Sequence, residues 1–479
     1  MLRSLIGYIT NKKERKVVVS RDSHCISRKD ICQNALKVLY RLKKKGYDAY
    51  LVGGSVRDLL LQKEPKDFDI VTNATPEQVR RIFNNSRIIG RRFRLVHIYF
   101  DNILVEVATF RAGSKKGKED KHTTLRSNEG LILRDNVFGS LEEDCLRRDF
   151  TVNALYYDIT DFSIIDFTNG LKDLKNKTLR IIGNPKERYI EDPVRILRVI
   201  RFAAKLDFNI EKKTASPIIA LSELLKHVSS SRLYDDVNKL FLYGAAEKTF
   251  ALLRKYSILD KLFIFDESFL NDNPNAEKFI IKALNNTDIR VDRNRPVIPA
   301  FLYACLLWYP VVILKKQYVK DGCKASVASK IAMDEVTEKQ RKITSIPWRT
   351  TENMRQVWDL QSTLENPDMD NIQNVLQDHK FKAAYDFLIL RAVVETHLKK
   401  KVDWWTSLVD AEETARKDLI KDLKQPQKEL SPGVKRRRNR RKKKSISFND
   451  EDSIDTKSDN KDAVTKESNI KSTDAKEKD

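Results

Sequence analysis

Cysteine and histidine are scarce here, with five cysteines and six histidines in 479 residues. Cys25, Cys32, Cys145, Cys305 and Cys323 are scattered and odd in number, no pair has zinc spacing, and no H-x-x-x-H pattern occurs. That excludes a disulfide-stapled scaffold and a histidine or thiolate metal centre, and fits reduced thiols in a cytoplasmic protein. Long apolar runs are missing too. In "MLRSLIGYITNKKERK" the apolar part is too short for a secretory leader, and no small-residue cleavage site follows. The most apolar later stretch, "FLYACLLWYPVVIL" (301–314), carries a proline and falls short of a bilayer span. It reads as a buried helix plus turn, so no stable membrane insertion is expected. No internal repeat is visible.

What is abundant is positive charge: 91 Lys and Arg against 68 Asp and Glu, a net +23. Such a balance points to an anionic polymer, nucleic acid ahead of a membrane surface. Nine cations fall in "KRRRNRRKKK" (435–444), yet the remainder stays basic. A hydrophobic content of 41% supports real cores, and the length allows about three domains.

Along the chain, residues 1–26 form a basic arm of undefined structure. A helix is expected to open at "SRKD", where Ser27 and Asp30 suit a capping box, with Ile31, Ala35, Val38, Leu39 and Leu42 at helical spacing and Gly46 at its end. "YDAYLV" reads as a strand running into Gly53-Gly54, "VRDLLLQ" as a short helix and "DFDIVT" as a second strand. Thr75-Pro76 with Gln78 starts another helix. "RLVHIYF" and "ILVEVATFR" flank Asp101-Asn102, good hairpin chemistry. Residues 112–130 read as a polar, mobile loop. From about 185 to 410 the pattern is helical, and after 425 the apolar content is too low to offset the entropy of ordering. The expected class is α+β: a head at 27–158 with a small mixed or antiparallel sheet, a connecting segment at 159–210, an all-α body at 211–424 and a disordered basic tail at 425–479.

Three constellations carry chemistry. In "VGGSVRDLLLQKEPKDFDIVT" (52–72), Asp67 and Asp69 lie two apart; on one strand both side chains take the same face, with Cα atoms about 6.6 Å apart. Two carboxylates so placed repel unless a divalent cation joins them, and Mg²⁺ suits one or two carboxylates plus substrate phosphates. The glycine pair lets backbone come close to a triphosphate, and the next helix start offers unpaired N–H groups. Glu106 interrupts an apolar strand and is a third carboxylate for that site, or an outward-facing residue of a half-exposed sheet. In "RRDFTVNALYYD", Arg147 with Arg148 offers phosphate contacts, and Asp149 a carboxylate directed at a hydroxyl or a metal; the alternative is a solvated helix end with a surface ion pair. In "EDPVRILRVIR", Pro193 marks a helix start, so Asp192 is expected as its cap beside Arg195, an acceptor and a planar donor fork able to read a base edge. An i, i+3 salt bridge is the plainer alternative. Arg195, Arg198 and Arg201 share a helical stripe.

Together, GG-x-V-R-D, D-F-D, E-V-A-T-F-R, R-R-D-F-T-x-N-A and E-D-P-x-R-x-L-R resemble the class II nucleotidyltransferases, which include CCA-adding enzymes and bacterial poly(A) polymerases. "KEPKDFDIVTNATPEQVRRIF", "GRRFRLVHIYF", "RVDRNRPVIPAFLYACLLWYP", "KFKAAYDFLILRA" and the basic tail are similar to the poly(A) polymerase branch, over roughly residues 20–445. The resemblance implies addition of AMP from ATP to RNA 3′ ends without a template. It implies Asp67 and Asp69 as metal-binding residues, with Mg²⁺ or Mn²⁺ in a two-metal site, and Asp149 as a further essential carboxylate. Gly53, Gly54, Ser55 and Arg57 correspond to the nucleotide-phosphate turn, Ser55 standing where the family pattern has glycine. Arg147, Asp192, Arg195 and Arg198 correspond to ATP-binding residues of the neck. The tail cations Lys435, Arg436, Arg437, Arg438, Arg440 and Arg441 are candidate RNA contacts, and the mixed-charge segment after 445 is longer than the usual ending. Trp308, Tyr309, Trp404 and Trp405 are either base platforms or packing. The implied partners are the 3′ ends of mRNA and small RNA, with RNA-decay proteins, for a cytoplasmic monomer. The alternatives are a CCA-adding enzyme and a non-catalytic RNA-binding protein on the same fold.

Overall fold

The computed structural model describes residues 16–422 apart from 91–93, 102, 113–123, 127–131, 136 and 369. The candidate RNA contacts at 435–441 and the rest of the tail lie outside the described residues.

A strand at Val17–Val19 (β1) opens the chain, so part of the expected arm belongs to a sheet. The Ser27/Asp30 capping box forms, but on a single 3-10 turn. The α-helix proper, α1, spans Gln33–Lys44 and buries Ala35, Val38, Leu39 and Leu42. Gly46 follows at φ +83°, a conformation that only glycine takes without strain. Then come β2 (Ala49–Val52), α2 (Gly54–Leu60), β3 (Asp69–Thr72) and α3 (Pro76–Ile82). The last is started by the Thr75/Gln78 box with proline in its first turn. β4 (Ser86–Ile89) leads to β5 (Leu95–Phe100) and β6 (Ile103–Thr109), paired as a hairpin with Phe100 opposite Ile103. Within the expected polar loop, Thr124–Arg126 (β7) pairs with Ile132–Asp135 (β8); the remainder of 113–130 is outside the described residues. α4 (Leu141–Arg147), β9 (Leu155–Asp158) and β10 (Ile164–Asp166) follow.

The main sheet has eight strands in the order β1-β10-β9-β2-β3-β6-β5-β4. It is mixed, since β3 and β6 run parallel while the other neighbours are antiparallel. It is larger than expected and runs on past residue 158. Alternation splits its two faces. Ile70, Val105 and Val107 pack with α1 and α3, whereas Val71, Phe110 and Tyr156 pack with Cys145 of α4.

Helices α5 (Gly170–Lys175), α6 (Pro185–Glu191) and α7 (Val194–Leu206) bridge to a helical region continuing to Asp422. "FLYACLLWYPVVIL" lies within one helix, Pro299–Lys320, that continues through Pro310 without the expected turn. It is the one described helix long and apolar enough to cross a membrane, but 56% of its apolar window is buried inside the protein. Packing between the helices Ala325–Ile343 and Trp348–Glu365 offsets the hydrogen bond that proline removes. The four aromatic residues weighed as base platforms are packing groups. Trp308 and Trp405 are buried, Trp405 donates to the Leu364 carbonyl at 2.8 Å, and Trp404 stacks edge-on against Trp405.

Candidate active site

The site grows from the turn between β2 and α2. Gly53 sits at φ +78°, ψ −131°, a combination closed to L side chains, and its N–H donates to the Leu155 carbonyl of β9 at 3.3 Å. A Cβ there would lie 3.6 Å from the Arg148 guanidinium, so the bare turn faces a cation. Ser55 points the other way: it is buried and its hydroxyl donates to the Val52 carbonyl at 3.0 Å, closing the turn from inside. Arg57 is also buried. Its guanidinium donates to Asp58 at 2.8 Å and to Asn153 Oδ1 at 2.5 Å. Neither side chain is presented to a ligand; both hold the turn.

Asp69 opens β3, level with Val52 on one side and Glu106 of β6 on the other. Asp67 lies two residues earlier, outside the strand, so strand alternation does not set its direction as expected. Glu106 is therefore the carboxylate in register with Asp69, on a neighbouring strand about 4.8 Å away. On its far side Glu106 meets His97 of β5, Nε2 to Oε1 at 3.1 Å. Asp69 touches solvent yet is crowded by the turn and sheet. That burial first, then the like charge of Glu106 and of Asp67, pushes its carboxyl up to about 6, with Arg148 opposing. Among the described residues neither Asp67 nor Asp69 accepts a hydrogen bond or forms an ion pair. No described group of three or more acidic, histidine or cysteine side chains converges as a ready-made metal cage. What is present is an aspartate whose charge is opposed by its neighbours, the condition a divalent cation reverses. A pair of carboxylates is also what Mg²⁺ takes from protein when phosphates complete its shell.

Arg148, expected with Arg147 as a phosphate contact, supplies the fixed positive charge. It ends α4 and turns inward, held by Asp144 at 3.1 Å and the Tyr156 hydroxyl at 3.1 Å. Its i, i+4 spacing from Asp144 was the available signal. Arg147 instead donates to the Ala112 carbonyl at 2.9 Å.

Asp149 is engaged away from the acid pair. Arg198 of α7 donates to its Oδ2 at 2.9 Å, and Phe150 N–H and the Asn153 amide donate to Oδ1 at 2.8 and 3.3 Å. Burial works against its charge, but Arg198 and these donors outweigh burial and bring its carboxyl down to about 2. Of the two candidates for a third metal carboxylate, Glu106 stands beside Asp69 and Asp149 is committed to Arg198. Asn153 joins both networks, accepting from Arg57 and donating to Asp149.

The expected Asp192–Arg195 pair does not form. Asp192 ends α6 rather than capping α7, and its carboxylate receives Arg232 at 2.9 Å from the helix Ser230–Phe241. Arg195 donates instead to Glu191 at 2.9 Å and to the Arg188 carbonyl at 2.8 Å. Pro193 itself occupies the cap position in helical conformation, so no side chain caps α7.

A glycine turn against an arginine and an acid pair across parallel strands suit a nucleoside triphosphate with a divalent cation, the class of chemistry that nucleotidyltransferases perform. Comparison with known proteins narrows this class. The "Poly A polymerase head domain" matches residues 49–180, the "Probable RNA and SrmB- binding site of polymerase A" 207–267, and the "Polymerase A arginine-rich C-terminus" 321–444. The chain is 43% identical to poly(A) polymerase I of Salmonella typhi, over 89% of this chain and 92% of that one. The CCA-adding enzyme of Lactobacillus helveticus is 37% identical over only 47% of this chain and 53% of its own. Among solved structures, a tRNA-processing enzyme in an apo form superposes with TM-score 0.56 at 22% identity, covering 82% of this chain and 99% of that one, a likeness of fold. The chain belongs to the poly(A) polymerase I family and is a polynucleotide adenylyltransferase.

Proposed function

We propose that ATP and an RNA 3′ end meet at the edge formed by Asp67, Asp69 and Glu106, and that these carboxylates hold the divalent cations of AMP transfer. The observation that carries this reading is the register of Asp69 with Glu106, which with burial raises the Asp69 carboxyl while no ion pair forms to it among the described residues. Bound there, Mg²⁺ or Mn²⁺ would lower the pKa of the RNA hydroxyl and neutralise the triphosphate and departing pyrophosphate.

The protein's own part is placement. The bare Gly53-Gly54 turn admits the triphosphate against backbone, and Arg148 provides positive charge that does not need reorganising. Asp149 acts through Arg198, holding that guanidinium toward the cleft, and Asn153 ties the pair to Arg57 under the turn. Nucleotide choice falls to Asp192 and Arg195 from two separate anchors, Arg232 and Glu191. We read 27–158 as the catalytic head, 159–210 as the neck and 211–424 as the RNA-holding body, with the tail cations extending the RNA track. The acceptors are the 3′ ends of mRNA and small RNA, tailed in the cytoplasm by a monomer and passed to decay proteins.

Asp67→Ala or Asp69→Ala should abolish AMP incorporation while RNA binding persists; substantial residual polymerisation would refute the assignment. With a generic RNA, ATP alone should give long A tracts and CTP alone almost none. Short C additions would move the reading to a CCA-adding enzyme.

A further inference from the structure

On the sheet face opposite the acid edge, α1 presents a groove of about 560 Å³ lined by Lys37, Tyr40, Arg41, Lys44, Phe83 and Phe100, among others. The placement follows from strand alternation. Ile70 and Val107, each one residue beyond Asp69 and Glu106, pack in the core with Leu39 and Leu42 of α1, so the two acids face away from that helix. The groove reaches the β5–β4 edge of the sheet, where Phe100 ends β5.

Two features distinguish it from an ordinary solvated helix face. Lys37, Arg41 and Lys44 fall at i, i+4 and i+7, a row about 10 Å long. None of them pairs with a carboxylate among the described residues: Lys37 reaches the Asn34 side chain, and Arg41 lies over the Phe83 ring at 5.0 Å. α1 also carries no acidic residue. The floor between these cations is aromatic. Tyr40 is 43% exposed, its hydroxyl accepting from Arg28 at 3.2 Å, and Phe100 is half-buried. Cations in a row beside one exposed and one half-buried ring suit a polymer of phosphates with stackable bases better than a single anion.

We propose that this groove is a second binding site for single-stranded RNA, with Lys37, Arg41 and Lys44 on phosphates and Tyr40 and Phe100 under bases. It rests on RNA being the acceptor of this polymerase, and it requires RNA long enough to pass from the acid edge round the sheet. A primer seated by its 3′ end at the acid edge and too short to round the sheet therefore does not reach it.

The test uses the full chain, labelled oligoadenylates too short and long enough to span the sheet, anisotropy at a series of salt concentrations, and extension of the short primer. For the long oligonucleotide, Lys37→Ser/Arg41→Ser/Lys44→Ser should reduce the salt slope by about 2, from three lost phosphate contacts. Tyr40→Ala removes no charge; it should weaken long-RNA affinity about tenfold and leave the slope alone. Both variants should extend the short primer as the parent does, which shows the active site intact. An unchanged slope in the triple variant would overturn the proposal and leave the groove to an acidic protein partner. So would an equal loss on short and long RNA. Loss of AMP addition by the parent protein on every primer would instead count against the polymerase reading.

Discussion

The Asp149–Arg198 pair allows a quantitative test of how the head is fixed to α7. Asp149 has its carboxyl depressed from 3.8 to about 2, with Arg198 the largest favourable cause. That fall corresponds to about 2.5 kcal/mol at neutral pH, at about 1.4 kcal/mol for each tenfold change in proton affinity. Its side chain is 14% exposed, so screening takes little from this figure, although Arg198 at 38% regains some hydration when unpaired. A folded-state value below the unfolded one means the stabilisation is complete above about pH 4 and lost as pH falls toward 2. The experiment is a double-mutant cycle of Asp149→Asn and Arg198→Gln by urea unfolding at about pH 7 and about pH 3. We expect a coupling energy of about 2 kcal/mol at neutral pH, shrinking in acid. A coupling below about 0.5 kcal/mol, or one equally large at both pH values, would refute the account.

Asp69 gives the opposite sign: its carboxyl is raised to about 6, so its ionised fraction falls about tenfold between about pH 7 and pH 5, and the cation requirement for single-turnover AMP addition should rise accordingly. Glu106→Gln removes a like charge and should flatten that extra pH dependence; because ATP protonation is common to both proteins, identical steepness would reject the Asp69–Glu106 coupling. Arg232→Ala removes one anchor of Asp192, and the expected outcome is a lower ATP-over-CTP preference in competition assays with total incorporation retained. Deleting residues 431–479 should weaken RNA binding and reduce its salt slope; an unaltered slope would remove the tail from the RNA track.

Where local chemistry decides, the chain could be read directly. The Thr75 box with Pro76, the Phe100–Ile103 hairpin and the β2-turn-α2-β3 run all stand as expected, because each depends on residues within a few positions. What was not legible depends on partners distant in sequence. Glu106 could be offered as a third carboxylate or as an outward-facing residue, and it is a parallel pairing of strands 37 residues apart that sets it beside Asp69; the same sheet takes in β1 from the basic arm. Asp192 and Arg195 have the right spacing for one another, yet Arg232 and Glu191 outcompete that contact. Arg57 reads as a phosphate ligand in a motif, but packing places its guanidinium between Asp58 and Asn153.

That last arrangement has a mechanical consequence. Arg57, Asn153, Asp149 and Arg198 form an unbroken polar strut from beneath the glycine loop to the first long helix beyond the sheet. A shift of that helix would pull on the floor of the glycine turn, since no link of the strut is longer than 3.3 Å.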